Sequence, residues 1–160
     1  GAAAGTGGAP RVRTPVAPTV ERLLRAMARL HADRALTLIN AVPPGLQFYG
    51  DAEDLTEMLG NLLDNACKWA TRRVEATARP LPGGLIELVV SDDGPGLPEA
   101  ARAAVLQAGV RLDESAPGAG LGLAVTLDLA LLYGGGLSLE PAPSGASSGG
   151  LAARLRLPGG

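Results

Sequence analysis

The sequence predicts a two-layer sandwich of the α/β or α+β class, and three observations carry this prediction. The chain has 160 residues, the size of one domain, and 46% of them are hydrophobic, enough to bury a core. Segments with helical and strand periodicity follow one another in the order helix, strands, long helix, hairpin, helix, hairpin. Only 2% of the residues are aromatic, so the core must be built from Leu, Val, Ile and Ala.

The first part of the chain is predicted to hold a linker, a helix and two strands. Residues 1–18 are rich in Gly, Ala and Pro, which indicates a flexible leader and linker, with the domain covering 19–160. Thr19 can cap a helix over roughly 20–34, because its hydroxyl can accept a backbone N–H bond and apolar residues then recur at helical spacing. Strands are expected on either side of a Pro-Pro-Gly turn, at 36–41 and 46–49.

The rest of the chain predicts a long helix, two shorter helices and two hairpins. Asp51 begins the longest helix, which extends to about residue 70. Two strands at 73–79 and 85–91 are joined by a Pro/Gly turn, the spacing of a hairpin. The remaining segments are a short helix, a mobile loop, a helix and a last hairpin, at 98–106, 107–120, 121–133 and 137–157.

Composition excludes several classes of function. The net charge of −2 leaves no basic surface for general nucleic-acid binding. One cysteine, Cys67, excludes an internal disulfide framework, and one histidine, His31, excludes a multi-histidine metal site. No apolar run is long enough to span a membrane. The single lysine, Lys68, is followed by Trp69, so the phosphate-binding loop GxxxxGK[ST] is absent.

The long helix is predicted to have an apolar side and, opposite it, a polar side. An apolar side is formed by residues at helical spacing, and a polar side by Glu57, Asn61, Asp64 and Lys68, with Asn65 at its edge. Asparagine is a poor helix former, so two of them at i and i+4 invite a functional reason. Their carbonyl oxygens suit Mg²⁺ or phosphate-bound water, and a lysine supplies a point charge for phosphate. The alternative is a solvated face with two tolerated asparagines.

Two glycine segments are candidate nucleotide contacts. The strand at 85–91 runs into Asp92-Asp93-Gly94-Pro95-Gly96, and a carboxylate that only accepts hydrogen bonds favours a base presenting an amine, such as adenine. An ordinary Asp-Gly turn is the alternative. A second segment, 118–122, opens a helix and exposes backbone N–H groups to an anion, or it is only a flexible hinge. Neither segment has the Rossmann spacing.

Three segments together resemble a known family. GNLLDNACKWA (60–70), SDDGPGLP (91–98) and GAGLGLAV (118–125) resemble the N, G1 and G2 boxes of the sensor histidine kinase ATP-binding domain, in the same order. This Bergerat fold, shared with gyrase, MutL and Hsp90, implies a mixed sheet with three main helices on one face. The resemblance covers roughly residues 20–158 and is strongest to the PhoQ-like branch, whose ATP lid is short.

The resemblance implies roles for the polar residues of the long helix. Asn65 matches the asparagine that coordinates Mg²⁺, and Asn61 matches the one that supports the phosphates and the metal. Lys68 matches the lysine that faces phosphate. Trp69 stands in place of a tyrosine that stacks near adenine. Glu57 matches the catalytic base of the related ATPases.

The resemblance implies further roles around the glycine segments. Asp92 matches the aspartate that binds the adenine amine, and Arg111 matches a lid arginine near the γ-phosphate. The residues that frame the nucleotide and the lid are Gly94, Gly96, Gly118, Gly120, Leu121 and Gly122. The sequence departs from the family where Ala116 replaces a second lid arginine, where Leu151 replaces a threonine near adenine, and where no F box is evident.

The function implied is that of the catalytic ATP-binding domain of a two-component sensor histidine kinase. Such a domain binds Mg·ATP and delivers the γ-phosphoryl group to a histidine on a dimerisation domain outside this chain, and thereby acts indirectly on a response regulator. His31 is interpreted as a surface or packing residue, so the chain is not expected to autophosphorylate alone. No contact with nucleic acid or membrane is expected.

The implied location is the cytoplasmic part of a bacterial inner-membrane protein. Two other functions stay open. One is a superfamily ATPase or an anti-sigma serine kinase. The other is a degenerate nucleotide-binding module without catalysis, which the departures at Ala116 and Leu151 would suit.

Overall fold

The computed structural model describes residues 12–106, 121–143 and 149–160. The helices are α1 (Val16–Leu30), α2 (Ala52–Trp69), α3 (Glu99–Val105) and α4 (Leu121–Leu132). The strands are β1 (Thr14–Pro15), β2 (Thr37–Ala41), β3 (Gln47–Phe48), β4 (Arg73–Leu81), β5 (Leu85–Asp92), β6 (Gly136–Pro141) and β7 (Leu151–Pro158). The predicted long helix, both hairpins and the two-layer α/β class are confirmed, and α3 is a short fourth helix.

A mixed five-stranded sheet forms one layer, in the order β2-β4-β5-β7-β6. β2 pairs parallel with β4, and the other neighbours are antiparallel. Side chains alternate between the two faces of such a sheet. On β5, Ile86, Leu88 and Val90 are buried in the core, whereas Glu87 belongs to the opposite, polar face. α1, α2 and α4 contact the sheet and share its apolar core.

α2 is the central helix of the other layer. Asp51 caps it by accepting the backbone N–H of Glu53 at 2.7 Å. One stripe of the helix is fully or almost fully buried, as the helical periodicity predicts: Leu55, Met58, Leu59, Leu62, Leu63, Ala66 and Cys67. The same stripe leaves the polar side of α2 free to face a ligand.

α1 begins at Val16 rather than near residue 20, which corrects the predicted start. Thr19 does not cap the helix; its Oγ1 donates to the carbonyl of Pro15 at 2.8 Å from within the first turn. Pro18 is tolerated there because a first-turn residue has no intrahelical partner for its N–H. β1 pairs with β3 just before the helix. Because α1 already begins at Val16, the boundary predicted between residues 18 and 19 lies inside this helix.

The end of α1 is followed by a tight turn. α1 ends at Leu30, and His31 is its C-terminal cap rather than a mid-helix residue. A 3₁₀ turn over Ala32–Arg34 follows, and Ala35 then takes a left-handed conformation with φ of 53°. This corner returns the chain to the sheet beside the C-terminal end of α2.

The polar face of the sheet holds one buried charge. Glu87 is 7% exposed by its side chain, and three arginines surround its carboxylate: Arg79 at 3.1 Å, Arg154 at 3.2 Å and Arg156 at 3.9 Å. A carboxylate withdrawn from water is costly unless it is paired, so these arginines make its burial tolerable.

Cys67 is fully buried on the core side of α2. Burial raises the pKa of its thiol to about 11, and the negative charge of Asp64 acts in the same direction. The thiol is therefore protonated at neutral pH and behaves as a small apolar side chain.

Within the described residues, no helix combines the length and apolar character needed to cross a membrane.

Leu63 and Leu132 allow the core to be tested with one kind of substitution. Leu63 is fully buried in α2, whereas Leu132 at the end of α4 is 82% exposed. We expect Leu63→Ala to lower the free energy of unfolding by about 2–5 kcal/mol, because it removes buried methyl groups and leaves a cavity. Leu132→Ala should change it by less than about 0.5 kcal/mol. Urea unfolding followed by circular dichroism measures both, and equal losses would contradict this packing.

Candidate nucleotide site

A cavity of about 110 Å³ lies between the C-terminal half of α2, the end of β5 and the start of β7. Its wall is mostly apolar, with one carboxylate and one amide. The lining residues are Asn65, Trp69, Asp92, Pro95, Gly96, Leu97, Val105, Leu123 and Leu151. The structure thus brings together four residues predicted for nucleotide binding, Asn65, Trp69, Asp92 and Gly96.

Asp92 is the carboxylate of this cavity. Strand alternation places it on the helix side of the sheet, after Val90, and it is only 6% exposed. Its Oδ1 accepts the backbone N–H of Gly94 at 2.8 Å. Burial raises the pKa of Asp92, although backbone N–H bonds from Gly94 and Leu151 oppose the rise. A buried acceptor facing an apolar cavity is suited to a ligand that presents an N–H donor.

Asp93 faces away from the cavity and has a different role. Its carboxylate accepts the backbone N–H groups of three consecutive residues, Thr71, Arg72 and Arg73, at 2.9, 2.9 and 3.0 Å. Burial alone would raise the pKa of Asp93, but these N–H bonds outweigh it and lower the pKa. Asp93 therefore fixes the segment that follows α2.

Gly94 and Gly96 lie where the backbone leaves no room for a side chain. A Cβ on Gly94 would lie 2.1 Å from the carbonyl oxygen of Trp69. Gly96 has a φ of +75°, and a Cβ there would lie 2.9 Å from the carbonyl oxygen of Gly150. Gly94 thus lets β5 approach the end of α2 closely enough to close the cavity between them.

The polar side of α2 meets the start of α4. Asn61 donates through Nδ2 to Thr126 Oγ1 at 3.2 Å, and Thr126 is fully buried. The side chain of Asn61 also lies 3.4 Å from the position that a Cβ on Gly122 would take. Since its donor end is used, the amide oxygen of Asn61 is the end left for a cation, near Asn65 one turn later.

The described residues contain no group of three or more His, Cys, Asp or Glu side chains that could hold a metal ion. Mg²⁺ would therefore depend on the amide oxygens of Asn61 and Asn65 together with oxygens from phosphate and water. Mg²⁺ commonly binds in this way, through one or two protein ligands and substrate phosphates. The donor set of α2 thus fits Mg²⁺ delivered with a nucleotide better than a resident metal.

Lys68 and Trp69 complete the exposed rim of the site. Lys68 Nζ lies 3.2 Å from Asp64 Oδ2, and Asp64 Oδ1 lies 3.0 Å from His31 Nε2. Half-buried His31 is therefore paired with α2, in keeping with its interpretation as a packing residue. Trp69 is 49% exposed, and its ring flanks the cavity rather than filling the core.

Some predicted residues lie elsewhere. Glu57 is exposed on α2 and is not among the described residues that line the cavity. Leu121 begins α4. Arg111, Gly118 and Gly120 lie outside the described residues, as does Ala116.

Sequence reasoning missed much of the apolar wall, which is formed by Pro95, Leu97, Val105 and Leu123. These residues flank the glycine segments or belong to short helices, where apolar periodicity alone does not separate a cavity wall from the core. Their proximity to a buried aspartate becomes visible only in three dimensions.

Comparison with known proteins assigns the chain to a family of ATPases and finds sensor kinases among its relatives. A family model described as "Histidine kinase-, DNA gyrase B-, and HSP90-like ATPase" matches residues 50–160. The sensor protein kinase CarS of Pseudomonas aeruginosa is 51% identical over 118 residues, which are 74% of this chain and 25% of CarS. The two-component sensor PhoQ of the same species is 41% identical over 135 residues, 84% of this chain and 30% of PhoQ. The chain thus spans about a quarter to a third of these relatives.

Solved structures agree with this placement. The mycobacterial sensor histidine kinase MprB is 32% identical, with a TM-score of 0.79, and the match covers 94% of this chain and 98% of that one. Full-length ShkA, solved in complex with AMPPNP, is 27% identical with a TM-score of 0.75, and the match covers 97% of this chain and 33% of ShkA. The predicted resemblance is confirmed: the chain belongs to the histidine kinase-, DNA gyrase B- and HSP90-like ATPase family, and its relatives are sensor histidine kinases.

Proposed function

We propose that this chain binds Mg·ATP and delivers the γ-phosphoryl group to a histidine on a separate domain of the same sensor kinase. The observation that carries the proposal is Asp92, a buried carboxylate at the apolar cavity beside Trp69 and the polar side of α2. A carboxylate is expensive to bury, and the backbone N–H bonds from Gly94 and Leu151 do not offset the burial of Asp92, so its presence there favours a ligand that pairs with it.

The base end of the nucleotide is proposed to enter the cavity. Asp92 would accept the exocyclic amine of adenine, whereas guanine presents a carbonyl at the equivalent position and would leave the carboxylate unpaired. Leu97, Val105 and Leu151 would cover the rest of the ring with apolar surface, and Trp69 would offer it an aromatic face. Leu151, which replaces a threonine of the family, would offer the ring an apolar contact but no hydroxyl group for a hydrogen bond.

The phosphate end is proposed to lie along the polar side of α2. Asn61 and Asn65 would hold Mg²⁺, which neutralises charge on the phosphate oxygens when bound. Lys68 would exchange part of its contact with Asp64 for phosphate oxygens. The glycines that open α4, from Gly118 to Gly122, are proposed to frame the phosphates, and Arg111 to reach the γ-phosphate.

Phosphoryl transfer asks little covalent chemistry of the protein. A histidine nitrogen forms a bond to the γ-phosphorus as the bond to the bridging oxygen breaks, and ADP leaves. Lys68 and Arg111 would stabilise the charge on the transferring group. Glu57, on the same side of α2 as Asn61, would accept the proton that the attacking histidine loses. The main contribution is to hold the γ-phosphate in line with the histidine.

The acceptor domain, the response regulator and the membrane anchor are proposed to lie outside this chain. Support comes from the relatives, which are sensor kinases about three times its length, and from ShkA, whose structure contains AMPPNP. Since ATP is a cytoplasmic substrate, we place this domain on the cytoplasmic side of the inner membrane.

Titration of Mg·ATP and Mg·GTP, followed by the fluorescence of Trp69 and by calorimetry, tests the site. We expect saturable binding of ATP and at least about 100-fold weaker binding of GTP, because guanine leaves Asp92 unpaired. Asp92→Asn should weaken ATP binding by about 10–100-fold, the effect of losing a hydrogen bond to a charged group. Asn65→Ala should weaken Mg·ATP binding more than adenosine binding, because Asn65 lines the cavity and is also proposed to hold Mg²⁺.

Asp33→Asn, a change at an exposed aspartate, is the matched control and should bind ATP like the native chain. Equal affinities for ATP and GTP would contradict the role of Asp92. Absence of binding to any nucleotide would favour the degenerate module.

The pH dependence of stability tests the burial of Asp92. Because folding raises the pKa of Asp92, its ionised form destabilises the folded state above the ordinary aspartate pKa of about 3.9, and this cost disappears as pH falls below that value. We therefore expect Asp92→Asn to be more stable than the native chain at pH 7 and no more stable at pH 3.5. Thermal unfolding across this range measures it, and a variant that is less stable at pH 7 would contradict the burial cost.

Phosphoryl transfer can be tested in the intact kinase with labelled ATP. We expect label on a histidine of the domain outside this chain, and Lys68→Ala should lower the initial rate by about 10–1000-fold, as removal of one electrostatic contact to a transition state does. Arg29→Gln, at an exposed arginine of α1, should leave the rate unchanged. Label on serine, or release of phosphate alone, would contradict transfer to histidine and favour the anti-sigma kinase or the ATPase.

A further inference from the structure

We propose that Arg34 and Asp93 are positioning residues of the nucleotide site, an inference that rests on the proposed function. Neither is among the described residues that line the cavity. Arg34 binds backbone carbonyls between Cys67 and Ala70, around Trp69, and Asp93 binds the N–H groups of the three residues that follow, with the opposite charge. Together they hold the end of α2 in the conformation that presents Lys68 and Trp69 to the ligand.

Arg34 binds the carbonyl side of this segment. Its Nη1 donates to the carbonyl oxygens of Cys67 at 3.1 Å and Lys68 at 3.3 Å, and its Nη2 donates to the carbonyl of Ala70. The last carbonyls of a helix lack intrahelical partners and carry partial negative charge. Ala70, the C-terminal cap, is extended rather than left-handed, so the guanidinium supplies the contacts that a glycine cap would otherwise arrange.

Asp93 binds the amide side of the same segment. The three N–H groups that it accepts belong to Thr71, Arg72 and Arg73, the residues immediately after the cap. A backbone bond from the Asp93 N–H to the carbonyl of Arg73, at 3.3 Å, closes the arrangement. A carboxylate bound by several backbone donors fixes the direction of the chain, because each bond restricts a different peptide plane.

Lys68 and Trp69 are both exposed at the end of α2, and Lys68 Nζ is paired with Asp64 Oδ2 at 3.2 Å. The side chain of Lys68 is 41% exposed, and Trp69 is 49% exposed, so the core does not determine where either points. Gly94 packs against the backbone carbonyl of Trp69, a contact that does not involve the indole. The direction in which both side chains leave the helix therefore depends on the backbone, which Arg34 binds through its carbonyls and Asp93 through the N–H groups that follow.

Arg34 belongs to the turn that follows α1, whereas Asp93 belongs to the segment that follows β5. The site is thus supported by two elements that both bind the backbone at the end of α2 and just after it. A positioning role of this kind predicts an effect on nucleotide binding that requires Lys68 and Trp69. A purely structural role would change stability and would not depend on them.

A double-mutant cycle on this chain distinguishes the two roles. The variants are Arg34→Gln, Arg34→Lys and Asp93→Asn, each made in the native chain and in a Lys68→Ala/Trp69→Ala background. Arg29→Gln and Asp33→Asn, at exposed positions near the same turn, are the matched controls. The dissociation constant of Mg·ATP is measured by calorimetry, which does not need the tryptophan, and urea unfolding confirms that each variant is folded.

In the native chain we expect Arg34→Gln and Asp93→Asn to weaken Mg·ATP binding by about tenfold, the size expected when charge-assisted hydrogen bonds are lost. Arg34→Lys should recover part of the loss, since one ammonium can reach only some of the carbonyls. In the Lys68→Ala/Trp69→Ala background the same substitutions should weaken binding by less than about twofold. The controls should bind like the native chain.

Equal losses in both backgrounds, or native affinity in Arg34→Gln and Asp93→Asn, would overturn the proposal. If Arg34→Gln does not fold, Arg34→Lys and Asp93→Asn carry the same comparison. Failure of the proposed function is a separate outcome, because then the native chain itself would not bind Mg·ATP.

Discussion

The period-two alternation of β5 is the constraint on which the site depends. Because alternate side chains of a strand point to the same face, Ile86, Leu88 and Val90 lie in the core, and Asp92, two residues after Val90, lies on the same face. An acidic side chain is thereby placed at the end of an apolar row, where water is excluded. The next residue, Asp93, leaves the strand and turns to the backbone after α2. Two adjacent aspartates thus acquire opposite pKa shifts, because burial dominates at Asp92 and backbone N–H bonds dominate at Asp93.

The site also couples the helices to one another. Asn61 reaches from α2 to the buried hydroxyl of Thr126 in α4, and the carboxylate of Asp64 joins His31 to Lys68. Polar residues on a helix usually contact water. Here Asn61 links α2 to α4 and Asp64 links α2 to the end of α1, so residues on the proposed phosphate side of α2 also contribute to the packing of these helices.

Much of the fold was predictable from the sequence, because long apolar patterns and Pro/Gly turns are local signals. The stripe of α2 and both hairpins follow from such patterns. The start of α1 was not predictable in this way, since it depends on the pairing of Thr14 and Pro15 with a strand more than thirty residues away. The site divides similarly. Asp92 and Asn65 stand in recognisable motifs, whereas Arg34 acts on carbonyls of a distant helix, and nothing in its own neighbourhood indicates this.

Cys67 gives α2 a chemical reporter of its own movement. Its sulfur is sealed against the core, directly behind Lys68, and its thiol is protonated at neutral pH. A thiol reagent reacts with the thiolate, so the folded helix is protected twice, by access and by ionisation. Any modification must pass through an opened state of α2, and its rate measures how often that opening occurs. A single sulfur atom therefore records every opening of α2, whether the helix opens locally or the whole domain unfolds.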